Sequence, residues 1–233
     1  MQKIIDIVKD LVLSINNNVI VSSVNDLSNG LYELVTCDYK HINRCNDVSI
    51  DSNTYKVTGY TDNGFIVRAS TLPVIGTYVV GDMSFVHGNY TDANKAMLMM
   101  DEENINFSNT VFFVSSPLRE SVNYDSSSNL KTCVSIQLLL LVSNDSYNWC
   151  PSDHYDIAIN PMRNLSDLII DRINSRKSDF EKTNSSELLS LIDVGVTKGN
   201  SPSDGDLFDY TFSGVLMTFD LKIKNTHKCC TTK

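Results

Sequence analysis

Basic side chains are scarce in this chain: 19 Lys and Arg stand against 28 Asp and Glu, a formal net charge of −9. A surface that grips phosphates needs clustered cations, so the balance argues against a broad nucleic-acid-holding face. DNA can still pass nearby without being held, because charges are screened beyond about 8–10 Å in physiological salt. Long apolar runs are missing as well. No span approaches the roughly 20 apolar residues of a membrane helix, and the longest run, Leu138 to Val142, reads as a buried strand. The opening MQKIIDIVKDLVLSI alternates charge with apolar residues and lacks a signal core and a small-residue cleavage site, so a protein made and used in a cytoplasm-like, reducing setting is expected. There is no GxxxxGK(S/T), no GxGxxG after a strand and no GxSxG, so nucleotide and hydrolase fingerprints are absent.

What is present is ordinary for a globular protein: 42% hydrophobic and 20% charged residues in 233 positions, enough for one or two cored domains. Six cysteines (Cys37, Cys45, Cys133, Cys150, Cys229, Cys230) are spread widely in a chain too large to need staples. Reduced thiols are the expectation.

Hydrophobic periodicity supplies the architecture. Ile4, Ile5, Val8, Leu11, Val12 and Ile15 make a helical stripe over residues 3–15, which Asn16-Asn17-Asn18 ends. From Val19 to about Gly88, short strands follow at close spacing: Val19–Val24, Leu31–Thr36, Asp47–Ile50, Tyr55–Tyr60, Phe65–Ala69 and Met83–His87. That is the pattern of a small antiparallel barrel or sandwich. Around Asp62-Asn63-Gly64, a three-residue loop with Gly64 left-handed in a bulge would pair Gly59 with Val67. It would also set Tyr55, Val57, Phe65 and Val67 on one face, which burial favours over the alternative Asn-Gly turn. Residues 89–109 carry a Met-rich stretch without a clean stripe, either core filler or an adaptable contact surface.

A second domain begins with a strand at Thr110–Val114, a polar loop at 115–130 and a strand at Cys133–Val142 that turns apolar on both faces. The stretch His154–Phe180 reads as a short strand (Tyr155–Ile159), a Pro161-Met162 turn and an amphipathic helix. Its stripe is Leu165, Leu168, Ile169, Ile173 and Phe180, with Asn164 as cap and Arg172, Arg176 and Lys177 at its carbonyl end. A strand at Leu188–Val196, a loop at 197–206 and a long strand at Phe208–Ile223 close the chain. The apolar phase of the last strand changes near Gly214, which predicts a bulge or sharp bend there. The fold class expected is therefore α+β: an N-terminal helix (1–18), a small antiparallel β-barrel with its linker (19–109), a β-β-α-β-β sandwich (110–227) and a tail (228–233). One arrangement sets the leading helix on the second domain's sheet, with the barrel inserted between them.

Candidate chemistry is thin. Cys37-x3-His41-x3-Cys45 departs from a CxxC knuckle and has only three local ligands, with His227, Cys229 and Cys230 as distant donors. Cys150 and His154, beside Asp153 and Asp156, can be drawn as nucleophile and base, but nothing in sequence supplies an oxyanion hole. Asp101-Glu102-Glu103 and Asp204/Asp206/Asp209 lack the order of a calcium loop and read as solvated turns. No catalytic, cofactor-binding or metal-binding residue is assigned, and no enzymatic activity is expected.

Two stretches do carry a resemblance: VSIDSNTYKVTGYTDNGFIVRAS, and HYDIAINPMRNLSDLIIDRI following VSIQLLLLV. Over most of its length the chain resembles the neck and tail ring proteins of crAss-like tailed bacteriophages, head–tail connectors whose C-terminal domain is tail-terminator-like. The resemblance implies a structural virion protein of the head–tail neck or tail, assembled in the host bacterial cytoplasm. It implies a homo-oligomer, a closed cyclic ring that is often about twelve-fold. Such rings stack on portal and other neck or tail proteins, and genomic DNA passes through the bore without sequence-specific binding. No membrane partner is implied. The alternative is a small metal-binding or enzymatic β-barrel protein of phage or bacterial origin.

Overall fold

A computed structural model describes residues 2–15, 18–37, 42, 46–81, 83–89, 110–124, 130–143, 149–183, 185–194 and 211–224. It is a mixed α+β protein built mostly of strands. The leading helix, α1 (Gln2–Leu13), forms as the stripe predicts, with Ile4, Val8, Leu11 and Val12 buried and Ile15 buried just beyond its end.

The first sheet has seven strands: β1 (Asn18–Val21), β2 (Ser23–Asp26), β3 (Leu31–Val35), β4 (Asp47–Ile50), β5 (Asn53–Thr61), β6 (Gly64–Arg68) and β7 (Gly76–Val80). Their spatial order is β1-β7-β4-β5-β6-β3-β2, all neighbours antiparallel. The strand expected over Val19–Val24 breaks at Ser22, so its two halves stand at opposite ends of that order. Ser22 N donates to Val35 O at 2.9 Å as the chain crosses between them. The sheet thus returns on itself as a nearly closed barrel. Its interior holds Val19, Val21, Leu34, Val48, Tyr55, Val57, Phe65, Val67, Tyr78 and Val80. Burial, with Tyr55 beside it, pushes the Tyr78 phenol up to about 12, and its Oη donates to Val74 O at 2.7 Å.

The β5–β6 hairpin buries the side chains expected, through a different register. Thr61 pairs with Gly64, Tyr60 with Phe65 and Gly59 with Ile66 around a two-residue Asp62-Asn63 turn, and the extra residue falls between Val57 and Gly59. Gly64 is not left-handed. Its need for glycine is spatial, since a Cβ there would meet Leu34 O at 2.0 Å.

The second sheet contains β8 (Ser84–Gly88), β9 (Thr110–Val114), β10 (Arg119–Tyr124), β11 (Leu130–Ser143), β12 (Glu187–Val194) and β13 (Phe212–Lys224). Its path is β12-β13-β11-β9-β8, with β10 paired to β11. The strand read at Met83–His87 as a barrel strand joins this sheet, parallel to β9. Two strands lie where the sequence pattern predicts none, β10 within the loop expected at 115–130 and β7 between the strands expected at Phe65–Ala69 and Met83–His87.

One face of this sheet is covered by α1 and by α2 (Asn160–Ser175), whose buried residues share a core with β9, β11 and β13. The ends of the two helices are tied together: Arg176 Nη1 meets Asp10 Oδ2 at 2.8 Å, and Arg172 Nε donates to Ser14 Oγ at 3.0 Å. The Asp10 hydrogen bond foremost, and then Asp179 at 3.0 Å, hold the Arg176 guanidinium above its ordinary range.

Two expectations fail here. Tyr155–Ile159 is helical, in a wide-turned segment (His154–Ile159) that follows a helical turn at Pro151–Asp153 and runs straight into α2, so Asn164 lies inside a helix. The wide turn has a cause in the sequence. Pro161 has no N–H, and its ring would clash with the Ile157 carbonyl in a regular α-turn. Opening the turn, with Asn160 N–H donating to Tyr155 O, accommodates it. The segment also buries His154, Ile157, Ala158 and Ile159, more positions than a half-buried strand would alternate. The second failure is at Gly214, where β13 pairs with β11 without a break from Phe212 to Lys224. The irregularity lies instead in β12, between Leu191 and Val194. Gly214 again answers to close approach, its Cβ position being 2.0 Å from Leu140 O. The strand and helix order after the barrel is therefore β9-β10-β11-α2-β12-β13, preceded by β8, rather than β-β-α-β-β.

Candidate functional site

Among the described residues, those singled out for chemistry do not converge. Cys150 is exposed at the start of the helical segment. Asp153 Oδ2 accepts its backbone N–H at 2.8 Å and its thiol at 3.0 Å, and Ser152 Oγ lies 3.0 Å from the sulfur. This is how a first turn satisfies its free donors. His154 turns the other way. It is buried, its Nδ1 pairs with Ser213 Oγ at 2.8 Å, and its ring meets Trp149 edge-on at 5.4 Å. Thiol and imidazole thus go to different partners, and Asp156 is exposed.

Of the metal pattern, Cys37 is an exposed free thiol, while His41, Cys45, His227, Cys229 and Cys230 lie outside the described residues. The same holds for Asp101, Glu102, Glu103, Asp204, Asp206 and Asp209. Among the described residues no three His, Cys, Asp or Glu side chains are grouped to hold a metal ion.

Two groups of exposed apolar side chains stand out among the described residues. β12 is the edge of the second sheet and pairs only with β13 among the described residues. Leu188, Leu189 and Ile192 on it are 38%, 59% and 43% exposed. Cross-strand register sets Leu188 beside Met217, on the helix-covered face, and Leu189 beside Leu216, on the other. Arg163 Nη2 anchors the strand by donating to Ser190 Oγ at 2.9 Å. Sheet edges are ordinarily blunted by lysine, proline or bulges. β12 has a bulge near its end but no lysine or proline in ELLSLIDV.

A second apolar surface lies on the outside of the barrel. Ile20 stands opposite Thr77, so Val79 is its diagonal neighbour on the outer face. Leu72, Val74 and Ile75 come just before β7 in the chain, and all five side chains are at least 47% exposed. Isolated exposed leucines need no explanation, but contiguous ones mark contact sites.

No helix among the described residues is long and apolar enough to cross a membrane. No protein-family model matches the chain, and no curated protein matches it.

Proposed function

We propose that this chain is a non-enzymatic structural virion protein, one subunit of a closed homo-oligomeric ring in the head–tail neck or tail of a tailed bacteriophage. The observation that carries the reading is the pair of exposed apolar surfaces on two different sheets, the β12 edge and the outer barrel patch around Ile20. A cyclic ring needs a heterologous interface, two unlike patches that meet head to tail and close by rotation. An open strand edge supplies backbone hydrogen bonds to such a contact, and apolar side chains supply its area. In this reading the helix-covered sheet is the tail-terminator-like layer, and portal and tail proteins dock above and below it. The net charge of −9 suits a bore that lets DNA slide through without gripping it.

Native mass spectrometry and electron microscopy of the full chain test this. The expected result is a ring of one stoichiometry, weakened by Leu189→Lys, which sets a charge on the open edge without touching the core. Monomer alone, both free and in purified virions, overturns the proposal.

A further inference from the structure

The second sheet contains a notch that its pairing pattern explains. β9 pairs with β11 down to Phe113↔Leu138, and β10 takes up the same side of β11 at Arg119↔Ser135. Between them the chain leaves β11 through Ser115–Leu118, so among the described residues this side of β11 has no ladder partner at Ile136 and Gln137. A cavity of about 260 Å³ opens there, lined by Val114, Pro117, Arg119, Ser135 and Gln137. Ser135 and Gln137 project from the same face of β11, the face away from the helices, because side chains two apart share a face and Val134 and Ile136 belong to the helix-side core. Arg119, directly opposite Ser135, projects to that face as well.

Arg119 is the informative residue. Acidic side chains outnumber basic ones 28 to 19, yet among the described residues no ion pair involves its guanidinium, in contrast to Arg176 with its two carboxylates. We infer that this notch is a carboxylate-binding site. A guanidinium offers two parallel N–H donors to a planar carboxylate, while the Ser135 hydroxyl and the Gln137 amide supply neutral donors at its side. One cation matches one negative charge. A polyphosphate or nucleic acid would bring several, with no further cation among the described residues of the lining and a net charge of −9 against it. The volume lies just under the 300–1,000 Å³ typical of ligand pockets, so the occupant is small. It is a free short-chain carboxylic acid or the acidic side chain of a neighbouring copy, held with the apolar Val114 and Pro117 against its methylenes.

Saturation-transfer NMR on the full chain with glutarate as its monomethyl ester, which carries one negative charge, against chloride at matched ionic strength, reads the free-acid arm and works for monomer or ring alike. Sedimentation of wild type and Arg119→Gln reads the side-chain arm. Arg119 is exposed, so the substitution should leave the melting temperature unchanged, and Gln137→Ala provides a second, milder lesion. Saturable glutarate binding that weakens tenfold or more in Arg119→Gln, and less in Gln137→Ala, establishes the site with a free acid as occupant. Weaker self-association of Arg119→Gln, with or without glutarate binding, establishes it with a neighbour's side chain. Glutarate signals equal in wild type and Arg119→Gln, together with unchanged sedimentation, overturn it. A monomer that binds glutarate overturns the ring and leaves the site standing.

Discussion

The layer of helices on the second sheet can be tested by one pair of adjacent substitutions. Ile169 is 1% exposed and belongs to the core formed with α1, β9, β11 and β13, whereas Ile170 is half-buried at its margin. Truncating Ile169 to alanine removes buried methyl and methylene groups and leaves a space that the flanking Leu165 and Ile173, themselves buried, can fill only in part. Such changes cost about 2–5 kcal/mol. Ile170→Ala loses less buried area and places a better helix former on the helix, so about 1 kcal/mol or less is expected. With a urea slope of about 2 kcal/mol per molar, the Ile169 change lowers the unfolding midpoint by roughly 1–2.5 M and the Ile170 change by about 0.5 M or less. Fluorescence of Trp149, the single tryptophan, follows this transition without contribution from the barrel, because the indole packs against this core and against His154. Equal midpoint shifts for the two variants refute the assigned helix phase, or mean that a neighbouring subunit covers Ile170.

Two further outcomes follow from the same geometry. Glu33 accepts hydrogen bonds from Thr61 Oγ1 and from Asn25 Nδ2, which hold its carboxyl below the ordinary 4.5 despite burial. A depressed carboxylate stabilises the fold above its unfolded-state value and loses that contribution as pH falls through its folded value, so thermal melts should show the barrel weakening below about pH 4.5 in wild type and much less in Glu33→Gln; parallel curves for the two proteins would refute the assignment. Gly214→Ala places a Cβ 2.0 Å from Leu140 O in the longest strand pairing of the sheet and should cost about 1–3 kcal/mol by urea titration, whereas a change near zero would mean the strands have room to part.

The elements legible in the sequence are those whose periodicity has a single interpretation. Ile4, Val8, Leu11 and Val12 fit only a helix face, and Tyr55, Val57, Phe65 and Val67 fit only strand faces turned inward, so both sets are buried as their spacing demands. Tyr155, Ile157 and Ile159 alternate as a strand would, yet they lie in a helix, because Pro151 starts it and a widened turn carries it past Pro161. β10 was illegible for the opposite reason: Arg119, Glu120 and Ser121 are exposed, and a strand with no buried side there has no apolar signal to give. Gly64 and Gly214 were recognised as special positions, but a sequence does not say whether a glycine serves a left-handed turn or lets two backbones touch. Here both serve contact.

Pairing is the information that local patterns do not carry, and the candidate surfaces depend on it. Phe85 and Val86 in β8 read as well for the barrel as for the second sheet; only its parallel register with β9 decides. The run Leu188-Leu189-Ser190-Leu191-Ile192 is as apolar as a buried strand, and as a sequence it is indistinguishable from one. Its place at the sheet edge leaves Leu188, Leu189 and Ile192 exposed. The Arg119 notch has the same origin, since neither β9 nor β10 encodes a cavity. It arises where two short strands share one side of β11 and, among the described residues, leave Ile136 and Gln137 paired only with β13. In the ring proposed above, the contact surfaces are properties of strand order, so Gly214→Ala, whose residue pairs with Leu191 of β12, should also weaken assembly.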